Sequence, residues 1–200
     1  MIRIGFSGIP GSGKTTMARK VTEVFREQMP DLNIKIVEEY AREFIGEYGG
    51  IECLTEQYWI YHRQLARETH FTDDSVDALV TDSPVHVGFL YALNLKKSTK
   101  KDVGCLTDLF REMSLINLTP RYDIVFYLSP LDTVKKDGIR DEEHFSEEWR
   151  NTANEMLISI FRLFPPKHLV RIGPVDIEQR TSQCMEHITA IMANIKETNE

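Results

Sequence analysis

Apolar positions recur along the chain in two rhythms, one helical and one strand-like, and the two alternate. Ile2, Ile4 and Phe6 make a short strand that ends at a glycine-rich turn. Residues 14 to 29 then carry Met17, Val21, Val24, Phe25 and Met29 at helical spacing. Ile34 to Val37 reads as a second strand, and Thr55 to about Thr69 as a helix built on Tyr58, Trp59, Tyr61 and Leu65. Ala78 to Asp82 is a third strand, after which Pro84 opens a helix packed through Val87, Phe89, Leu90 and Leu93. The lysine-rich stretch Lys96 to Lys101 reads as a solvated loop, followed by a helix with Val103, Leu106, Phe110 and Met113 on one face. Ile124 to Leu128 is a fourth strand, Ser146 to Phe164 a long helix ended by Pro165-Pro166, and Leu169 to Ile172 a fifth strand. Asp176 caps the last helix, with Gln179 three residues on in a capping-box pattern.

Strands alternating with helices predict an α/β fold, a five-stranded parallel sheet with helices on both faces in three layers. There is no repeat, low-complexity tract or linker, so residues 1–200 read as a single domain. In such a sheet ligands bind beyond the carboxyl ends of the strands. The polar residues of interest fall at those ends.

Composition narrows the classes. Hydrophobic types make up 42% of the 200 residues and charged types 28%, enough apolar side chain for a full core. No apolar run is long enough to cross a bilayer, and the first residues pass directly into a strand pattern, which reads against a leader peptide. Cys53, Cys105 and Cys184 are scattered and lack metal-ligand spacing, pointing to idle thiols in a reducing cytosol and to a cytoplasmic protein. Lys and Arg number 24 against 31 Asp and Glu, a net charge of −7. Such a chain gains nothing from counterion release on a polyanion, which argues against general nucleic-acid binding. An acidic chain that has to hold a polyphosphate would need Mg²⁺ and a few placed Lys and Arg, so a local basic site stays compatible with the net charge.

The strongest chemical signal is Gly8-Ile9-Pro10-Gly11-Ser12-Gly13-Lys14-Thr15, which meets the pattern G-x-x-x-x-G-K-[ST] between a strand and an amphipathic helix. Glycines let backbone N–H groups close around phosphate oxygens, and the helix terminus adds its partial positive charge. This predicts a P-loop NTPase fold. Gly8, Pro10, Gly11, Ser12, Gly13, Lys14, Thr15 and the neighbouring Thr16 form the nucleotide-binding set, with Lys14 on the β- and γ-phosphates and the Thr15 hydroxyl on Mg²⁺.

Further along, strand ends supply carboxylates. The second strand runs into Glu38-Glu39-Tyr40-Ala41-Arg42-Glu43, where a carboxylate faces the place an acceptor would occupy. Glu39 is favoured over Glu38 to orient an attacking hydroxyl, though alternation alone leaves either one facing inward. Arg42 either clamps a substrate anion or pairs with one of those glutamates. Asp82, ending the third strand, is placed to hold a water of the Mg²⁺ shell. Between strands four and five, Lys135, Lys136 and Arg140 lie in a charged stretch with Gly138, read as a helical lid over about 131–150 that carries Arg140 to the γ-phosphate. On the aromatic-rich helix, Gln57, Tyr58, Arg63 and Gln64 are candidates for an acceptor wall. Arg180 lies either over the adenine or on the surface as an ordinary cation.

Taken in order, Gly8 to Thr15, Glu38 to Glu43, Thr81-Asp82-Ser83-Pro84 and Asp137-Gly138-Ile139-Arg140 resemble the P-loop kinase group that contains the ribosylnicotinamide kinase domain of NAD metabolism. More distantly the chain is similar to thymidylate and deoxynucleoside kinases. The resemblance spans nearly the whole chain. It implies a Mg-ATP-dependent kinase with a lid between strands four and five and an acceptor near the second and third strand ends. Asp82-Ser83 stands where thymidylate kinases carry Asp-Arg, which argues against a thymidylate-specific enzyme. The group also contains phage enzymes acting on nucleotides or modified DNA bases, so the resemblance leaves the acceptor open.

The expectation is therefore a kinase moving the γ-phosphoryl group of ATP to a nucleoside, nucleotide or related hydroxyl compound, with Lys14, Glu39, Asp82 and Arg140 as its catalytic set. Two rivals remain at this level. One is a kinase acting on a hydroxymethylated base in DNA, contacting backbone through the lysines at 96, 97, 100 and 101. The other is an NTP-driven switch transferring phosphate only to water. Preference between ATP and GTP stays open, and a homodimer is compatible with all three.

Overall fold

The computed structural model describes residues 1–71, 75–95, 100–131 and 146–199. Its elements run β1 (Ile2–Ser7), α1 (Lys14–Gln28), β2 (Ile34–Val37), α2 (Tyr40–Tyr48), α3 (Leu54–His70), β3 (Ala78–Asp82), α4 (Val85–Asn94), α5 (Lys100–Ile116), β4 (Ile124–Leu128), α6 (Glu147–Leu163), β5 (His168–Ile172) and α7 (Ile177–Asn199). The five strands form one sheet in the order β2-β3-β1-β4-β5, and all four neighbouring pairs are parallel. The order turns back on either side of β1, and that reversal opens a crevice at its carboxyl end.

Alternation along the strands divides the core in two. Ile2, Ile4 and Phe6 of β1, Val80 of β3 and Ile124, Phe126 and Leu128 of β4 face α1 and α7, meeting Met17, Val21, Phe25, Cys184 and Ile188. The opposite face carries Val125 and Tyr127 against α3, α4, α5 and α6 through Tyr61, Phe89, Leu90, Leu109, Met113, Leu157 and Phe161. Ile4, Phe6, Phe126 and Leu90 are completely buried, and each such side chain contributes about 1.5–3 kcal/mol through removal from water. The three-layer P-loop arrangement read from the sequence is the arrangement found.

Local capping explains several boundaries. The Ser146 hydroxyl accepts from the Trp149 amide at 3.3 Å, starting α6, and the Asp176 carboxylate accepts from the Gln179 amide at 2.8 Å, starting α7. Two sequence expectations need correction. Lys100 and Lys101 belong to α5 rather than to a loop. The buried face of that helix is Leu109 and Met113, whereas Val103 and Phe110 are 64% and 47% exposed. Helix α5 carries more apolar positions than one packing stripe holds, so periodicity alone picked the wrong pair.

Candidate active site

The turn after β1 is shaped by a close approach. A Cβ on Gly8 would come within 2.5 Å of the Ser12 hydroxyl and 2.9 Å of the Leu128 carbonyl, at φ +151°, so only glycine lets the loop fold against the end of β4. The Ser12 amide closes the turn on the Ile9 carbonyl at 3.2 Å. Lys14, in the first turn of α1, is buried, and its ammonium donates to the carbonyls of Gly8 at 3.0 Å and Ile9 at 3.2 Å. Pro10 and Ser12 are buried in this loop while Thr16 is exposed on α1.

Around Lys14 gather the strand-end groups. Asp82 is 1% exposed at the end of β3. Its carboxyl is pushed up to about 6, first by burial and next by the neighbouring Glu39 carboxylate, against the Thr15 hydrogen bond and the charges of Lys14 and Arg42. Its Oδ1 is buried with no hydrogen-bond partner. A buried oxygen of this kind, beside the Thr15 hydroxyl, suits the hydration shell of a divalent cation, since Mg²⁺ keeps its waters and takes few protein ligands. Among the described residues no three His, Cys, Asp or Glu cluster as an all-protein metal cage.

Glu39 immediately precedes α2, makes no side-chain capping bond there, and is 8% exposed, close to Asp82. Arg42, one turn on, reaches Glu39 Oε2 at 3.8 Å and Thr15 Oγ1 at 3.4 Å, which places it beside both the glutamate and the phosphate loop. Glu38 turns the other way: its carboxylate meets Arg19 at 2.6 Å with both side chains largely exposed. The expectation of Glu38 as a substrate contact is corrected on that geometry.

A narrow cleft adjoins the carboxylates. It is lined by Glu39, Gln57, Tyr61, Gln64, Ser83 and Tyr91, among others, and its free interior is small, about 20 Å³. The surface it exposes is mainly apolar, with Ala41, Ile60, Val85 and Val87 also in its lining, and the polar groups lie behind that surface. Gln57 donates to the Gly88 carbonyl at 3.0 Å and Gln64 accepts from the Tyr40 amide at 2.9 Å, yet Gln57 Oε1, Gln64 Nε2, the Tyr61 hydroxyl and the Ser83 hydroxyl are buried without partners. Ser83, next to Asp82, holds the left-handed conformation at φ 64°, rare for a residue with a side chain.

Two residues expected on this wall lie elsewhere. The Tyr58 hydroxyl donates to Glu112 of α5 at 2.6 Å, and that bond with the nearby carboxylate pushes its ionisation up to about 12. Arg63 is exposed and stacks its guanidinium over Trp59 at 5.5 Å. Both sit about 100° around α3 from the cleft-facing line Gln57, Tyr61 and Gln64. That line, at spacing i, i+4, i+7, was a readable signal for the buried glutamines. Tyr61 and Ser83 were missed as wall groups, since neither type distinguishes itself in sequence.

Arg180 is neither a surface cation nor exposed. It is 3% exposed, and its guanidinium donates to the carbonyls of Ser12 at 2.9 Å, Gly173 at 2.9 Å and Ser129 at 3.3 Å. Lys135, Lys136 and Arg140, expected in a lid, lie outside the described residues, as do Lys96 and Lys97. No helix among the described residues is long and apolar enough to cross a membrane.

A family profile described as an AAA domain matches residues 3–180, and the chain belongs to that family. Among solved structures, thymidylate kinase from Ehrlichia chaffeensis superposes with a TM-score of 0.62 at 17% identity, covering 94% of this chain and 98% of its own. Deoxyadenosine kinase from M. mycoides with dCMP and dCDP bound gives 0.61 at 15% identity, covering 95% and 100%. The NadR protein in complex with NR gives 0.67 at 22% identity over 85% of this chain, which spans 45% of that longer one. No curated protein matches the chain in sequence. The fold is P-loop kinase-like, close to that of nucleoside and nucleotide kinases.

Proposed function

We propose that the protein is a Mg-ATP-dependent kinase that transfers the γ-phosphoryl group to a hydroxyl of a nucleoside-type small molecule. The single observation that supports this most is the meeting of two buried carboxylates with different surroundings. Asp82 lies beside Thr15 and Lys14 of the phosphate loop, and Glu39 lies near that group and lines the cleft. On this reading the Thr15 hydroxyl and Asp82 would hold Mg²⁺, Asp82 through a water of its shell, and the metal would supply charge neutralisation on the transferring phosphate. Lys14 and the loop amides bind the β- and γ-phosphates. Glu39 accepts or orients the acceptor hydroxyl, a positioned general base.

The acceptor enters the cleft lined by Gln57, Tyr61, Gln64 and Ser83, whose mainly apolar surface suits the face of a base or sugar, with unpaired polar groups buried just behind it. A cleft of about 20 Å³ must widen to admit a nucleoside. Catalysis is then mostly positioning and electrostatics. In the proposed lid, Arg140 closes over the phosphates.

The test is transfer of label from [γ-labelled] ATP to a pool of nucleosides and nucleotides, resolved by thin-layer chromatography, with hydroxymethylated DNA as a separate arm. Label on a small-molecule product supports the reading. Label on DNA alone, or as inorganic phosphate alone, would replace it by one of the two rivals.

A further inference from the structure

The Arg180 guanidinium is buried among backbone carbonyls at the back of the phosphate loop. Its three acceptors belong to three separate pieces of chain: Ser12 in the loop, Ser129 just beyond β4 and Gly173 just beyond β5. Among the described residues no carboxylate pairs with it. Burial is the first influence on its proton, followed only by the Cys184 thiol. A buried cation with no counter-charge is costly to keep.

The bond to Ser12 has a geometric consequence. In a trans peptide the C=O and the following N–H point in opposite directions. Fixing the Ser12 carbonyl toward Arg180 therefore turns the Gly13 N–H away from it, toward the opposite side of the loop. Gly13 sits at φ +90°, and a Cβ there would lie 3.7 Å from Arg180 Nη1, so the guanidinium runs directly behind this peptide. A charged donor on the carbonyl also polarises the peptide and strengthens its N–H as a donor.

We infer that Arg180 is a positioning residue for polyphosphate, locking the Ser12–Gly13 peptide with its N–H toward the phosphates and lending them an unneutralised positive charge from behind. It touches no phosphate itself. The cost of burying the cation is offset when the polyanion arrives on the other side of the peptide. The same side chain ties the loop to the ends of β4 and β5, so the phosphate site and the two strands that frame it move as one body. This inference rests on the loop binding a nucleoside triphosphate, as proposed above.

The experiment compares binding of Mg-ATP and Mg-tripolyphosphate, by titration calorimetry, to the wild type, Arg180→Gln and Arg180→Lys. Arg180→Gln keeps amide donors but removes the charge, and is expected to weaken both ligands by about tenfold or more, the range of a lost charge-assisted bond. Arg180→Lys keeps the charge but loses the fork, and is expected to fall between the two for both ligands. It also keeps the comparison usable should the glutamine variant not fold. Tripolyphosphate has no base, so equal losses for both ligands mark an effect on the phosphate cradle. Loss for Mg-ATP alone would mean a contact with the base and would overturn the inference. Affinities within about twofold of the wild type in Arg180→Gln, or in Arg180→Lys should the glutamine variant not fold, would overturn it too, since a bond worth having changes binding by more than that. A wild type that binds neither ligand would instead defeat the triphosphate reading and the inference with it.

Discussion

Glu38 and Glu39 are consecutive in the chain and belong to opposite sides of the site wall. Glu38 pairs with Arg19 at 2.6 Å in solvent, and Glu39 is buried between Arg42 and Asp82. Strand β2 ends at Val37 and α2 begins at Tyr40, so the two glutamates sit on the turn between them and diverge there.

That divergence predicts unequal mutants. Glu39→Gln is expected to lower kcat for phosphoryl transfer by roughly 10²–10⁴-fold, the usual contribution of a positioned base, with Mg-ATP affinity little changed. Glu38→Gln is expected to leave kcat within about threefold and stability within about 1 kcal/mol, because exposed ion pairs are weak. Steady-state kinetics and urea denaturation of both variants check this; equal losses would remove Glu39 from its special role.

Asp82 predicts a trade between stability and activity. Its folded pKa of about 6 stands above the model-compound 3.8, so the folded protein holds this proton more tightly than the unfolded chain. Its contribution to stability is therefore largest below about 4 and is lost as pH rises through about 6, leaving the ionised carboxylate a burden at neutral pH. Asp82→Asn should raise the Tm at pH 7.5 while abolishing Mg²⁺-dependent turnover. In the wild type, Mg²⁺ affinity should fall as pH drops below about 6, and that dependence should vanish in the variant. A lowered Tm would contradict the burial argument.

The opposite sign applies to His86. It is completely buried, with Nε2 at 2.9 Å from the Phe164 carbonyl and its ring against Tyr122 and Phe161. Burial holds its pKa down to about 4, against 6.5 when free. The unfolded chain takes up that proton first, so stability is fully present above 6.5 and is lost as pH falls toward 4. The loss amounts to about 3 kcal/mol. Urea unfolding at a series of pH values should show this slope in the wild type and a shallower one in His86→Phe.

Tyr122 links two elements that frame the cleft. Its hydroxyl donates to Glu68 at the end of α3, at 2.8 Å, and accepts from the Val85 amide at the start of α4, at 3.1 Å. Arg121 neutralises the same glutamate at 3.0 Å. Tyr122→Phe leaves the Val85 N–H and one Glu68 oxygen unsatisfied and should cost about 1–3 kcal/mol in denaturant unfolding. A change below about 0.5 kcal/mol would mean water replaces the hydroxyl there.

Much of this was readable from residues because buried parallel strands are short continuous apolar runs. Ala78 to Asp82 and Ile124 to Leu128 coincide with β3 and β4 for that reason. The phosphate loop was readable because its glycines answer a steric demand, seen in the 2.5 Å approach at Gly8. What failed has equally physical causes. Strand alternation stops at Val37, so it could not assign Glu38 and Glu39. Helical phase misplaced Tyr58 and Arg63 by one position from Gln57 and Gln64. Arg180 read as either an adenine contact or a surface cation because its partners are carbonyls brought together by tertiary structure, which leave no mark in sequence.

The central claim is that the loop from Gly8 to Thr15, with Asp82, binds a magnesium-complexed nucleoside triphosphate. Titration calorimetry of the purified protein with ATP, with and without Mg²⁺, tests it most directly. The account predicts saturable one-to-one binding that weakens when Mg²⁺ is removed and is lost in folded Lys14→Ala. A folded wild type with no binding heat for any Mg-nucleoside triphosphate at millimolar concentration would contradict it.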